Sequence, residues 1–152
     1  MNSRSELERL TRAIYESLAD IGPGGRRNME RIAAHFAPDV KYAIPFIPKE
    51  IHFESRDGFM SVIKATDGVF AKSIYSLNNF IIDVEKQTVV VEASSVRPLV
   101  KTGHEIKLRY VFVFEFRGDK VSKFREYAYT TDHHLIEEAM KLDSFETEAT
   151  SA

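Results

Sequence analysis

The side chain best placed to do chemistry is Glu126. It lies near the end of the run Tyr110-Val111-Phe112-Val113-Phe114-Glu115-Phe116-Arg117-Gly118-Asp119-Lys120-Val121-Ser122-Lys123-Phe124-Arg125-Glu126-Tyr127. That run reads as two long strands joined by a Gly-Asp turn. Successive strand side chains point to opposite faces. Ile106, Leu108, Tyr110, Phe112 and Phe114 therefore share one face of the first strand, and Phe124, Glu126 and Ala128 share one face of the second. A carboxyl group on an aromatic face loses hydration, so its pKa rises and it suits proton transfer near neutrality. The plain alternative is a carboxylate paired with Arg125 or Lys123 in water at a strand end.

The same alternation selects possible companions. In the strand before Thr102, the face with Ala93 and Ser95 also carries Arg97. Arg97 either pairs with Glu126 and favours its charged form, or lies exposed beside Pro98 at a sheet edge. Tyr42 and Tyr110 either donate hydrogen bonds to a carbonyl or enolate oxygen, or are core residues with satisfied hydroxyls. Asn79 and Thr66 are further polar candidates. His52, in the loop before the third helix, is a candidate for the pocket mouth. His133 and His134 are neighbours that a strand would turn to opposite faces, so they make no paired metal face. The sequence has no His-x-x-x-His pair, phosphate loop or glycine-rich dinucleotide fingerprint, and we expect no metal and no cofactor.

The elements that must position these groups follow from periodicity. Leu7, Leu10, Ile14 and Leu18 predict a first helix capped by Ser3 or Ser5 and ended at Gly22-Pro23-Gly24-Gly25. A second helix is expected over 28–36, stopped by Ala37-Pro38-Asp39. Val40, Tyr42 and Ile44 then alternate as a strand, and Pro45 and Pro48 bracket a loop to Ile51-His52-Phe53. Residues 56–72 read as a third helix with Phe59, Val62, Ile63, Thr66 and Phe70 on one stripe. Strands are expected over 79–84, 88–100, 105–116 and 120–130, with a turn at Thr102-Gly103 and a short helix over 136–142. Helices first and antiparallel strands after predict an α+β domain over 1–145: a curved antiparallel sheet wrapped around three N-terminal helices like a cone. Residues 146–152 read as a flexible tail.

The 152 residues are 43% hydrophobic and 29% charged, which fits one globular domain with one core. A net charge of -2 favours neither nucleic acid nor an anionic membrane as partner. The absence of cysteine excludes disulfides, thiolate metal sites and cysteine nucleophiles. Met1-Asn2-Ser3-Arg4-Ser5-Glu6 has no apolar core of a secretory signal, so a cytoplasmic location is the expectation.

Several stretches carry a resemblance. They are Phe36-Ala37-Pro38-Asp39-Val40-Lys41-Tyr42-Ala43-Ile44-Pro45, the helix start Ser55-Arg56-Asp57, Thr102-Gly103, Gly118-Asp119-Lys120-Val121, and Phe124-Arg125-Glu126-Tyr127. In this order and spacing, over about residues 7–132, the chain resembles the SnoaL-like group in the superfamily of nuclear transport factor two and ketosteroid isomerase. The resemblance implies the cone fold, and a homodimer through the outer sheet face. It does not carry one activity, because the superfamily hosts isomerases, cyclases, dehydratases, epoxide hydrolases and non-catalytic modules. The ketosteroid isomerase base falls at Ile44, its oxyanion-hole acid at Phe112, and its helix-one tyrosine near Ile14. The epoxide hydrolase acid and tyrosine fall at Glu126 and Tyr42, but its asparagine, arginine and aspartate fall at Ile44, Ala93 and Ser95. Phenazine-biosynthesis proteins share the glutamate, yet their helix histidine falls at Val62. A scytalone dehydratase histidine falls at Asn79.

The expectation is therefore an enzyme acting on a small hydrophobic substrate, aromatic or polycyclic, by acid/base isomerisation, cyclisation or elimination of lyase type. Glu126 would move the proton, Tyr42 and Tyr110 would polarise an oxygen, and Arg97 would orient the acid or bind a substrate oxygen. His52, Val62, Thr66, Asn79, Ser95, Phe112 and Phe124 would contact substrate. The alternatives are an epoxide-hydrolase-like hydrolase and a non-catalytic binding or dimerisation module.

Overall fold

A computed structural model describes residues 1–45 and 50–140. The expected tail over 146–152, the end of the last helix beyond 140, and Pro48 lie outside them. Helix α1, Arg4–Ala19, starts where the Ser3 hydroxyl accepts the Glu6 amide at 3.2 Å, and its Leu7, Leu10 and Ile14 are buried. The Gly-Pro-Gly-Gly cluster makes one tight turn, and Asn28 caps the short α2, Met29–Ala33. Then come β1, Phe36–Ile44, and β2, Ile51–Phe53, followed by α3, Arg56–Ala65, capped by Ser55. Four long strands follow: β3, Ile74–Asp83; β4, Thr88–Pro98; β5, Glu105–Arg117; and β6, Lys120–Tyr129. Helix α4, His133–Met140, closes the described chain. Among the described residues no helix is long and apolar enough to cross a membrane.

The six strands form one sheet in the order β2-β1-β6-β5-β4-β3. All neighbours are antiparallel except β1 and β6, which are parallel, a departure from the all-antiparallel expectation. The long connection from β1 through the other strands back to its own neighbour permits this pairing. Helix α1 packs on β3 and β4, α3 packs on β1 and β2, and α2 bridges the two helices. Register shifts at Leu77/Asn79, Glu115/Phe116 and Phe36/Lys41 bend the sheet over them.

Helices α2 and α3 are shorter than their apolar spacing predicts. Phe36 opens β1 instead of closing α2, and five residues of β1 from Phe36 to Val40 span the stretch facing Val121 and Ser122. Pro38, which has no N–H to donate, sits exposed inside that irregularity. Helix α3 stops at Ala65, because Gly68 takes φ +79° and Phe70 pairs with Leu99 in a lone bridge. His133 and His134 lie at the start of α4 rather than on a strand, and His133 Nε2 approaches Glu137 Oε1 at 4.0 Å.

The core is aromatic. Phe114 and Phe124 stack at 4.7 Å with 4° between their planes, and Phe59 fits at 4.5 Å from Phe36 and 4.7 Å from Tyr42. Gly25 locks the α1–α2 connection to this body. The Gly68 amide donates to its carbonyl at 3.0 Å, its φ is +76°, and a Cβ there would lie 2.5 Å from the Phe70 carbonyl oxygen. Gly24 also has positive φ, +69°, but faces open space. Gly25→Ala should therefore cost at least about 2 kcal/mol of stability and Gly24→Ala about 1 kcal/mol, measured by urea denaturation. Equal costs would refute the close approach.

Candidate active site

The concave face of the sheet and the inner sides of α1 and α3 enclose a cavity of about 110 Å³. Its wall is mostly apolar: Phe59, Val62, Phe112 and Phe124 are among its lining residues. Into it point Glu126 from β6, Arg97 from β4, Tyr42 from β1, Tyr110 from β5, and Arg27 from the segment between the Gly-rich turn and α2. Alternation explains the strand residues. Glu126 pairs in register with Phe112 and Tyr110 with Ala93, all on the inner face, two residues apart along each strand.

Arg125 and Lys123 do not pair with Glu126. Both turn outward to Glu115, at 3.0 Å and 3.9 Å. Glu126 is half-buried and lines the cavity. Desolvation pushes its pKa up to about 7, although the positive charge of Arg97 and the Tyr42 hydroxyl donating towards it both pull the other way. Near neutrality the group is thus present in both protonation states. Burial, and next the charge of Glu126, keep the Tyr42 phenol far above its ordinary pKa, so it remains a donor. Tyr110 is held up chiefly by burial too, and its hydroxyl meets Ser95 Oγ at 2.8 Å. With Ser95 as donor in that pair, Tyr110 keeps its own O–H for the cavity.

Arg97 lies inside, not at an exposed edge. Its guanidinium carbon is 3.9 Å from the Phe70 ring centroid and 5.9 Å from that of Tyr75, and Nε donates to Ser73 Oγ at a long 3.4 Å. Burial opposes its charge, but Tyr75, Tyr110 and Glu126 outweigh that and raise its pKa. Val62, Thr66, Phe112 and Phe124 line the cavity, and Ser95 lies behind Tyr110.

Two expected contacts are corrected. His52 lies between the buried Ile51 and Phe53 on β2, so alternation turns it to the outer face, away from the cavity. Asn79 follows a bulge in which Leu77 pairs with Ala93 but Asn79 already pairs with Glu92. The extra residue reverses the alternation, so Asn79 is outside, donating to Glu92 Oε1 at 2.9 Å, while Phe80 and Ile82 take the inner side.

Three aromatic and cationic residues went unanticipated. Arg27 has no periodic neighbours to mark it and is turned inward by the strand-like bridge between Ile21 and itself. Its Nη1 donates to Thr66 Oγ1 at 2.7 Å. Tyr75 sits on the inner side of β3, which starts at Ile74, five residues upstream of the expected 79. Tyr15 shares the buried face of α1, with its ring 5.4 Å from Phe112 and 5.8 Å from Tyr75; its hydroxyl is buried with no partner. The spacing Leu7, Thr11, Ile14, Tyr15, Leu18 carries the signal for Tyr15, so helix one does bring a tyrosine inward, one residue beyond Ile14.

This geometry matches a known class. The SnoaL-like domain model matches residues 12–124, so the chain belongs to the SnoaL-like family. A comparison with curated proteins found no match. Among solved structures, PrhC from Penicillium brasilianum NBRC 6234 is similar at TM-score 0.73 and 12% identity, covering 97% of this chain and 100% of its own. A Bacillus subtilis protein described provisionally as an isomerase gives 0.69 at 17% identity, covering 93% and 96%. An epoxide hydrolase of the limonene type from M. tuberculosis gives 0.65 at 12% identity, covering 90% and 91%. At these identities the likeness establishes the fold.

The raised pKa of Glu126 has a consequence for stability. Below its ordinary 4.5 both folded and unfolded chains hold the proton, and nothing is lost. From there to about 7 only the folded chain holds it. Stability therefore falls with rising pH across that window, by up to about 3 kcal/mol, and levels off above it. Glu126→Gln should remove this slope, making the variant more stable than the wild type at pH 8 and equal to it at pH 4, read from urea midpoints. A constant offset at all pH values would contradict the buried, raised carboxyl.

Proposed function

We propose that this protein is an enzyme that moves a proton on a small apolar molecule bearing an oxygen, as an isomerase or a lyase of cyclase or dehydratase type. The observation that carries this reading is the place of Glu126 in an aromatic cavity with two tyrosine donors, where desolvation pushes its pKa up to about 7. The carboxylate takes a proton from carbon beside a carbonyl. Tyr110, backed by Ser95, donates to the oxygen as negative charge develops there. Tyr42 and Arg97 hold the carboxylate in place. The protonated acid then returns the proton at another carbon, or delivers it to a leaving hydroxyl.

The size of the cavity narrows the substrate. At about 110 Å³ it is closer to the roughly 150 Å³ that accepts one benzene ring than to the roughly 300 Å³ and more of larger ligand sites. A monocyclic body fits this reading better than a polycyclic one. Hydrolysis, the second reading, is supported by Glu126 and Tyr42 together with the likeness to an epoxide hydrolase. It is weakened by Ile44 and Ala93, which offer no hydrogen bond to a water, and by Ser95, whose hydroxyl is engaged with Tyr110.

The test is deuterium exchange from heavy water beside the carbonyl of small cyclic enones, followed by NMR. Glu126→Gln should slow enzyme-dependent exchange by at least about tenfold, within the usual range of about 10²–10⁴ for general acid/base catalysis. An unchanged rate in a folded variant overturns the assignment. Incorporation of labelled oxygen from water into product would move the reading to hydrolysis.

A homodimer through the outer sheet face and a cytoplasmic setting belong to the same reading. Ile74, Ile81, Val111 and Tyr129 are exposed on that sheet, Tyr129 at 66% of its full surface. Light scattering after size exclusion should give twice the 17.4 kDa chain mass. Ile81→Glu with Val111→Glu should give the single mass, and a monomeric wild type would refute the dimer.

A further inference from the structure

The cavity holds more positive charge than its acid can balance. Glu126 is the acidic side chain among its lining residues, whereas both Arg27 and Arg97 line it. Asp67 accepts the backbone amide of Arg27 at 3.1 Å and the side chain of Arg26 at 2.9 Å, so it supports the Arg27 guanidinium through its charge and not through a hydrogen bond. Arg27 Nη1 is used by Thr66, and Arg97 Nε makes only the long bond to Ser73. Nη2 of Arg27 and Nη2 of Arg97 are both buried and meet no acceptor. A buried guanidinium N–H without a partner is among the costlier defects a folded protein can carry. Burial first, and then the like charge of Arg97, lower the pKa of Arg27 despite the opposing charges of Tyr75, Asp67 and Tyr110. An uncharged interior would be expected to avoid this arrangement; an anion entering from outside relieves it.

We infer that the cavity's ligand carries a carboxylate, bound between Arg27 and Arg97, with its apolar body against Phe59, Phe112 and Phe124. A carboxylate has lone pairs for more than one guanidinium donor, and guanidinium groups match its planar geometry. Thr66 holds the Arg27 guanidinium, and the rings of Phe70 and Tyr75 hold that of Arg97, so little side-chain freedom remains to be lost on binding. The ligand's anionic end therefore lies towards Thr66 and Phe70, and its reacting carbon towards Glu126. This assignment rests on the reading of the cavity as the ligand site, and it names the substrate class: a small, ring-sized carboxylic acid.

Binding separates this inference from the catalytic one. Benzoate and its neutral isostere benzamide are titrated into the full chain by calorimetry. Benzoate should bind at least about tenfold more tightly than benzamide. Arg27→Gln should abolish that preference, leave benzamide binding within about twofold, and keep the circular dichroism spectrum. Arg27→Lys, which retains the charge, should keep part of the preference. Glu126→Gln should leave benzoate binding equal or tighter, because it removes a negative charge, even as proton exchange is lost. Equal affinity for the two probes, binding of neither, or an undiminished preference in folded Arg27→Gln overturns the carboxylate site. Loss of the site with exchange intact would leave the proton-transfer reading standing.

Discussion

Aromatic burial on the concave face governs this molecule. Phe112, Phe114 and Phe124 stack across β5 and β6, and Phe36, Phe59 and Tyr42 continue the cluster to β1 and α3. Rings of this size remove a large apolar area from water, but only if the sheet bends and the helices close over it. The bulges supply the bend, and α1 and α3 supply the cover. Rigid rings on a strongly curved sheet do not fill the volume completely. The space left over is the cavity, and every polar group reaching it is desolvated by the surrounding rings.

That setting gives the polar groups their properties. Glu126 would be an ordinary carboxylate on the outer face, as Glu115 is, bound to Arg125 and Lys123 in water. On the inner face the cost of removing its hydration exceeds the attraction of Arg97 and the donation from Tyr42, and the balance falls near neutrality. The two arginines are retained in the same low-dielectric space because each is partly satisfied: one by Thr66, the other by the faces of Phe70 and Tyr75. What each lacks is an acceptor for its outermost nitrogen. Glu126 and Arg97 thus share one desolvated space, and Arg27 lies on the same wall.

Much of this was legible in the residues. Alternation along β5, and along β6 from Lys123 onward, sorted Tyr110, Phe112, Phe124 and Glu126 inward and Arg109, Glu115 and Lys123 outward. The caps Ser3, Asn28 and Ser55 mark the helix starts. Alternation failed where the backbone adds a residue: the bulge after Leu77 reversed Asn79, and His52 sits on a three-residue strand rather than in a loop. Apolar spacing overextended α2 and α3, because Phe36 and Phe70 are buried equally well on a strand or a bridge as on a helix stripe. Arg27 had no signal at all, since it pairs with Ile21 in a lone bridge outside any periodic element and meets Thr66 far along the chain.

By itself the sequence determined the class of fold, the aromatic face and the presence of one acid upon it. These follow from local periodicity and hydrophobicity, which act between neighbours on one strand or helix. Only the tertiary structure decided that Glu126 faces Arg97 and Tyr42 rather than Arg125, that Arg27 joins them, and that Asn79 and His52 do not. Those outcomes depend on sheet curvature, on register shifts and on which charges share a desolvated volume. Such quantities arise between segments distant in the chain, where no local pattern records them.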